Sequence, residues 1–339
     1  MKKASLVVSR NLQNNVIFDK NSKLNRDDIF DKYINLKLEF KGFGYDLSTN
    51  DLNKVSESDV VLYFDMPREL PKGNAYRSYL ILVESSLIRE DNYYKDSHEC
   101  FNKIFTWDDS LVDNQKYFKL NFAHLFPSSI NKDSSKKEKL CVLISGNKSS
   151  PKKDERELYS KRKEAIRWFE KNHPGDFDLY GVGWDRHKFS GSKIKRGLNL
   201  LPLLGAAYAL IANKTYPSYK GKVENKIIIM EKYKFSICYE NAKNIPGYIT
   251  EKIFDSFFAG CVPVYWGANN ITDYIPRKCF IDKRDFGSYE ELYDHIRNMR
   301  DYEYLEYLGN IEKYLESKDS FAFTGRGFAK MLVGEIFSE

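Results

Sequence analysis

With 339 residues, 42% hydrophobic and 15% aromatic, the chain exceeds one ordinary core and carries enough apolar content for two. Its net charge of +6 is small for the length and, read along the whole chain, is not gathered into one basic stripe. That argues against nucleic acid as a partner and suits a phosphate-bearing small ligand or weak attraction to an anionic membrane. Four of the five cysteines (Cys141, Cys238, Cys261 and Cys279) sit in apolar strand-like runs without paired spacing and read as buried free thiols in a reducing compartment. The start, MKKASLVVSRNLQ, lacks the apolar run of a signal peptide, so cytoplasmic residence is expected and the sequons at Asn147, Asn213 and Asn270 carry no meaning.

KASLVV, from Lys3 to Val8, reads as a first strand, and NRDDIFDKYINLKLEF after it as a helix. SDVVLYFD, YLILVES and NKIFTW read as buried parallel strands. Asn131 to Lys139 is polar without an apolar period and reads as an interdomain linker. A second alternation follows: strand KLCVLIS, a helix from about Arg156 to Lys171, strand FDLYGVGW, then strand, helix and strand from Tyr233 to Gly267, and strand KCFID. The remainder from Ser288 reads as helical. The expectation is an α/β chain of two Rossmann-like domains facing a central cleft, at 1–140 and 141–316.

Leu198 to Ala212 is apolar for 15 residues and follows Lys193, Lys195 and Arg196. It is too short to cross a bilayer comfortably. Two readings stand: a buried helix or interdomain packing element, or a basic-flanked contact with a membrane surface or an acceptor lipid through 198–212.

The segment YKFSICYENAKNIPGYITEKIFDSFFAGCVPVYWG, Tyr233 to Gly267, gathers its polar residues where the loop feeds the helix. At 100° per residue, Tyr248, Glu251, Lys252 and Asp255 share an arc of about 100°, and Ile253, Phe254, Phe257 and Phe258 take the opposite one. A helix start there favours anions, because its free N–H groups and its dipole both attract negative charge.

Other motifs fail. Walker A, HExxH and CxxC patterns are absent, the five histidines lack metal-ligand spacing, and Gly181-Val182-Gly183 lacks the third glycine of a dinucleotide turn. Asp176-Phe177-Asp178 is a DxD that reads better as the start of a buried strand than as a metal site. Three candidates remain, each beside a plainer reading. Lys252 is either a phosphate ligand or a solvated-face lysine. Arg162 lies in a basic run, Lys161 to Lys163, of the kind that is usually solvated. Glu84 ends the strand YLILVES, as a functional carboxylate or merely a strand-ending polar residue.

At these residues a resemblance appears. The pattern of YKF, an apolar strand, EN, a short loop, YITEK and VPVYWG resembles the donor-binding signature of the α1,3/4-fucosyltransferases of glycosyltransferase family 10. FIDKRDF, VESSLIREDNYY, FTWDDSLVD and LYSKRKEAI resemble further family elements, so the likeness runs from about Val83 to Phe286. It implies a GT-B-like fold, an acceptor-binding then a donor-binding domain with a helix at about 317–339 returning to the first, and an inverting transfer of L-fucose from GDP-β-L-fucose to the 3- or 4-hydroxyl of a lactosamine-type or other GlcNAc-containing glycan, in cell-surface polysaccharide assembly. It also implies that Glu84 is the general base, that Arg162 and Lys252 hold the diphosphate, that Glu251 accepts from sugar or ribose hydroxyls, and that Asn241 and Tyr248 frame the donor. No cofactor is required on this reading, with at most a non-essential stimulation by divalent cation. The rivals are a transferase using another GDP-sugar and a non-catalytic nucleotide-sugar-binding protein; a dehydrogenase is disfavoured by the broken glycine pattern.

Overall fold

The computed structural model describes residues 1–71, 76–150, 154–187, 189, 197–212 and 215–338. Two six-stranded sheets organise it, and every strand pair is parallel. The first contains β1 (Lys2–Val7), β2 (Tyr45–Thr49), β3 (Val60–Phe64), β4 (Arg77–Leu82), β5 (Lys103–Thr106) and β6 (Tyr117–Lys119), in the order 2-1-3-4-5-6. The second contains β7 (Lys139–Ile144), β8 (Phe177–Tyr180), β9 (Tyr219–Gly221), β10 (Tyr233–Tyr239), β11 (Val262–Trp266) and β12 (Ile281–Asp282), in the order 12-11-10-7-8-9. The architecture is therefore α/β with two Rossmann-like halves. In each sheet the winding reverses beside the first strand, between β1 and β3 and between β7 and β10. Loops diverge from the carboxyl edge at such a point and leave a crevice for a ligand.

The apolar runs VVLYF and KLCVLI form central strands because a parallel sheet covered on both faces buries successive residues rather than alternate ones. Strands β2, β6 and β9 are short or polar and gave no such run. In β2 the polar residues are held by a loop instead: Thr49 N donates to Asn15 Oδ1 (2.9 Å) and Asn15 N donates to Thr49 Oγ1 (3.1 Å). The first helix spans Asp31–Gly42 and not the whole stretch from Asn25. Asn25 Oδ1 accepts from Phe30 N (2.9 Å), and Asp27 is left-handed at φ 51°, so the chain turns before it winds.

Phe169, Phe177, Phe235, Phe254 and Phe257 fill the C-terminal core, and Leu6, Leu36, Phe40 and Leu62 fill the N-terminal one. The last helix, Gly325–Ile336, belongs to the N-terminal core through Phe328, Leu332 and Ile336. Phe337 beyond it stacks near Phe43 and Tyr45, at 4.9 Å from each. The chain thus crosses between the lobes twice, and the crossings touch. His124 N donates to Phe323 O (2.9 Å), His124 bridges Thr324, and the His124 ring stacks on Phe254 at 4.6 Å. Burial pushes this imidazole down to about 3, so the joint is uncharged.

Leu198–Leu200 is a 3₁₀ turn and Pro202–Ile211 a helix, but the expectation of burial there fails. Leu203 is 85% exposed and Ile211 87%, while Gly205 and Ala209 alone are buried among the residues whose side chains are described. The helix has no polar face to turn outward, so leaning on the body through its small residues leaves leucines in solvent. Lys193, Lys195 and Arg196 lie outside the described residues. No described helix is long and apolar enough to cross a membrane. Asp178, of the DxD motif, is buried and accepts from Tyr233 Oη (2.6 Å) beside Lys139 (2.8 Å), a structural engagement.

Candidate active site in the interlobe cleft

A cavity of about 410 Å³ lies at the reversal point of the second sheet. Ser145 and Gly146 after β7, Gly181 after β8 and Asn241 after β10 line it, with Arg162, Glu251, Lys252 and Asp255 from the helices and Arg26 and Asp27 from the other lobe. Gly181 has φ +129°, and a Cβ there would lie 1.9 Å from Ser145 O. The glycine therefore serves close packing of two strand ends at the cavity floor rather than a dinucleotide turn.

The helix Glu251–Phe258 presents its charged face here and buries Ile253, Phe254 and Phe257 on the other, as the periodicity predicts. Lys252 Nζ donates to Glu240 Oε2 (3.0 Å), Thr250 Oγ1 (2.8 Å) and Glu251 Oε1 (3.4 Å). Burial alone would lower the Lys252 ammonium, but Glu240 and Glu251 more than offset it, so the cation is fixed. Arg162 is 5% exposed; its Nε and Nη2 donate to Tyr239 O (3.1 and 2.7 Å), and Nη2 also donates to Asn241 Oδ1 (3.0 Å). It is thus no part of a solvated run but a buried guanidinium on the cavity wall. Glu251, whose carboxylate is half exposed, is opposed by burial yet held below the carboxylate range by Lys252 and Lys226. Lys226 Nζ also pairs with Asp255 (2.8 Å), whose carboxyl burial pushes up to about 6.

Across the cleft, Glu84 follows β4 with its backbone locked in place. Asp65 Oδ1 accepts from Val83 N (2.7 Å), Glu84 N (3.0 Å) and Asn92 Nδ2 (2.7 Å), and Asn92 Nδ2 donates also to Glu84 O (3.2 Å). Asp65 reaches this position in a left-handed conformation, φ 62°. Burial, then the Asp65 charge, raises the Glu84 carboxyl; Lys148 and Lys252 pull it down, and Glu251 pushes it up. Glu84 therefore feels the charges of the opposite lobe. Lys32, at the start of the helix Asp31–Gly42, faces Glu251 and Asp65 as well, and burial pushes its ammonium down to about 8.

Five of the six predicted residues, Glu84, Arg162, Asn241, Glu251 and Lys252, thus gather at the facing edges. Tyr248 is set back from them, yet near enough to feel Glu251 and Glu84. The helix begins three residues later, so Tyr248 is off the helical arc, and it is buried between Trp107 (4.5 Å) and Phe122 (6.2 Å) of the other lobe. Its hydroxyl accepts from Asn241 Nδ2 at 3.3 Å, which supports the cavity wall from behind. The loop before it clasps the lobes: Gly247 N donates to Asn270 Oδ1 (2.8 Å), Asn270 Nδ2 to Asp109 Oδ2 (2.8 Å), and Tyr274 Oη to Asp109 Oδ1 (2.6 Å).

Sequence reasoning missed Glu240, Asp65, Asn92 and Ser145. Glu240 is fully buried, accepts from Thr250 N (2.8 Å), Thr250 Oγ1 (2.7 Å) and Lys252, and so orients the whole helix start. A carboxylate ending the apolar strand FSICY carried the same signal as Glu84 and could have been read. Ser145 Oγ is buried without a partner among the described residues, at the cavity wall.

Residues 208–324 match the family model described as glycosyltransferase family 10 (fucosyltransferase) C-term. Over 103 residues the chain is 34% identical to an alpha-(1,3)-fucosyltransferase of Helicobacter pylori, covering 30% of this chain and 21% of that protein. Over 72 residues it is 39% identical to an alpha-(1,4)-fucosyltransferase of Arabidopsis thaliana, covering 21% and 18%. A 4-galactosyl-N-acetylglucosaminide 3-alpha-L-fucosyltransferase of Mus musculus is 37% identical over 78 residues, 22% of this chain and 21% of its own. The matched stretch spans about a fifth of each of these relatives. Among solved structures, an alpha1,3-fucosyltransferase aligns over 99% of this chain and 90% of its own, with TM-score 0.53 and 13% identity. An alpha-glucosyltransferase in complex with UDP aligns over 100% of both, with TM-score 0.54 and 10% identity. Identities that low show the fold alone, a GT-B arrangement. Between residues 208 and 324 the chain thus matches the C-terminal region of glycosyltransferase family 10, the fucosyltransferase family, within a two-lobed GT-B frame.

Proposed function

We propose that the chain is an inverting fucosyltransferase that moves L-fucose from GDP-β-L-fucose to the 3- or 4-hydroxyl of a GlcNAc-containing glycan. The reading rests on one observation: buried cations at the carboxyl edge of one sheet face a carboxyl of raised pKa at the carboxyl edge of the other. The family match over the donor segment supports the choice of donor.

In this reading Glu84 takes the proton from the acceptor hydroxyl as its oxygen attacks C1 of the fucose. The C1–O bond to the diphosphate breaks on the opposite face, which inverts the anomeric centre through an oxocarbenium-like state. A raised pKa suits the base, since it strengthens the carboxylate's pull on the acceptor's proton. The departing GDP gains negative charge as the bond lengthens. Arg162, Lys252 and the start of the helix Glu251–Phe258 meet that charge, prepared beforehand by Glu240 and Asn241. Glu251, ionised throughout the physiological range, accepts from sugar or ribose hydroxyls, and Ser145 offers a hydroxyl to the same ligand. No metal is called for, because fixed protein cations supply the electrostatics; a divalent ion would at most stimulate.

Incubation with GDP-fucose and, separately, GDP-mannose, against a panel of type 1 and type 2 lactosamine acceptors with linkage analysis, tests this reading. An α-linked fucosyl product from GDP-fucose is expected. Transfer from GDP-mannose alone moves the chain to another donor, and GDP-fucose binding without any transfer makes it a binding protein.

A further inference from the structure

The proposed reaction needs positive charge at the departing diphosphate, yet the two cations assigned to it are largely committed to the protein. The three N–H groups of Lys252 go to Glu240 (3.0 Å), Thr250 (2.8 Å) and Glu251 (3.4 Å), so its charge is matched by carboxylates. Arg162 gives Nε and Nη2 to Tyr239 O and Asn241, which leaves Nη1 for a ligand. Lys226 lies between Asp255 (2.8 Å) and Asp27 (3.7 Å). Cations already matched in this way offer a diphosphate little net charge. Of the five that line the cavity of about 410 Å³, only Arg26 and Lys148 make no side-chain hydrogen bond or ion pair among the described residues. Of these two, Lys148 is the one whose charge Glu84 feels.

The loop that carries Lys148 is built to hold it. It follows β7 and is braced against the loop after β8: Asn147 N donates to Val182 O (2.9 Å), Asn147 Nδ2 to Gly183 O (2.9 Å), and Trp184 Nε1 to Ser145 O (2.6 Å). Lys148 N donates back to Gly146 O (2.8 Å). A Cβ on Gly146 would lie 3.8 Å from both Cγ and Cε of Lys148, so the aliphatic stem lies over the bare glycine. Glu84 is faced from its own lobe by Asp65, Arg89 and Tyr93, and from the other by Lys148, Tyr159, Tyr248, Glu251 and Lys252. Arg89 is tied to Asp91 and to Met66 O (2.7 Å), and Lys252 to its carboxylates. Among the described residues, Lys148 is therefore the cation of this ring that is free to meet a ligand.

We propose that Lys148 is a third cation of the donor site, reaching the sugar-linked phosphate of the nucleoside diphosphate on the side from which Glu84 acts. The role rests on the transferase reading and adds a residue to it. As the bond from C1 to the phosphate oxygen breaks, its electron pair stays on that oxygen, and the ammonium meets the charge where it collects. Its contribution is therefore largest in the transition state. In the free enzyme the same ammonium holds down the carboxyl of Glu84, so leaving group and base answer to one side chain.

Lys148→Met, which keeps the stem over Gly146 and removes the charge, tests it. Calorimetry should show the variant binding GDP about tenfold more weakly, with GMP, which lacks the sugar-linked phosphate, bound as before. Turnover with GDP-fucose should fall by about tenfold or more. The acid limb of kcat/KM should move to higher pH, because Glu84 loses a cation that favours its ionised form and the base works deprotonated. Lys148→Arg should restore all three. An unaltered GDP affinity overturns the proposal, as does an acid limb that stays in place. So do equal losses for GDP and GMP with a lower melting temperature, the mark of a merely structural loop. Should Lys148→Met not fold, Lys148→Gln takes its place. A chain that prefers UDP, or transfers another sugar, ends the GDP-fucose reading alone, since UDP against UMP, or GDP against GMP, still decides Lys148. A native chain that binds neither nucleoside diphosphate overturns both.

Discussion

The two rims of the cleft share a position and differ in construction. Both stand at carboxyl ends of parallel strands, the C-terminal one at β10, next to the strand where winding reverses, and the N-terminal one at β4, two strands from it. The C-terminal rim mounts its charges on a helix whose far side is phenylalanine core, and one buried carboxylate, Glu240, ties Lys252 and Thr250 together. On the N-terminal rim Glu84 stands in a bend rather than on a helix; Asp65 and Asn92 grip its backbone instead. One rim is rigid through packing and the other through a polar cage. The lesson is that a charge can be preorganised either way, and the two ways fail differently.

The sharpest break falls on the caged rim. Glu84→Gln keeps the cage, which uses only backbone atoms of residue 84, and should lower turnover by about 10² or more while GDP affinity measured by calorimetry stays put. Unchanged turnover would remove Glu84 from its role. On the packed rim, Lys252→Ala should weaken GDP binding by about 1.5–3 kcal/mol, as for a lost charge-assisted hydrogen bond. The same change strands Glu240 without its cation, so the melting temperature should fall as well. If affinity is unaltered, Lys252 is an ordinary structural lysine.

The seam between the rims can be probed by Gly247→Ala. That residue has φ +78°, and a Cβ would lie 2.2 Å from Trp107 O, so a loss of about 1–3 kcal/mol is expected in urea unfolding. The smallest effect is a displacement rather than a loss. Asp65→Asn retains an acceptor at Oδ1 and removes a negative charge that raises the Glu84 carboxyl. Because the base works deprotonated, activity climbs as pH rises through that pKa. Lowering it should therefore move the acid limb of the kcat/KM profile to lower pH, with the plateau little changed. An acid limb that does not move would show that the cage acts by position alone.

This difference in construction also explains what could be read in advance. Glu251 and Lys252 lie on a helix face whose hydrophobic period is plain, whereas Arg162 and Asn241 were brought to the donor only by the family resemblance. Asp65 and Asn92 are 27 positions apart and meet Glu84 only because loops bend back on them. No period marks such a contact. Tyr248 leaves its helical arc for a related reason: the helix begins three residues later, so the ring sits behind the cavity wall and reaches it through Asn241. At Leu203 the apolar run was plain but its surroundings were not, since hydrophobicity along a chain does not say whether a lipid or a protein core will cover it.

One feature of the fold bears on how the halves move. Two ropes strung separately between a pair of rafts leave the rafts able to twist and slide; knotted midway, they restrain both motions. His124 and Phe323 tie that knot, and because the imidazole there carries no charge, neither mild acid nor salt should loosen it. Together with the clasp at Asp109, the knot keeps Glu84 opposite Lys252.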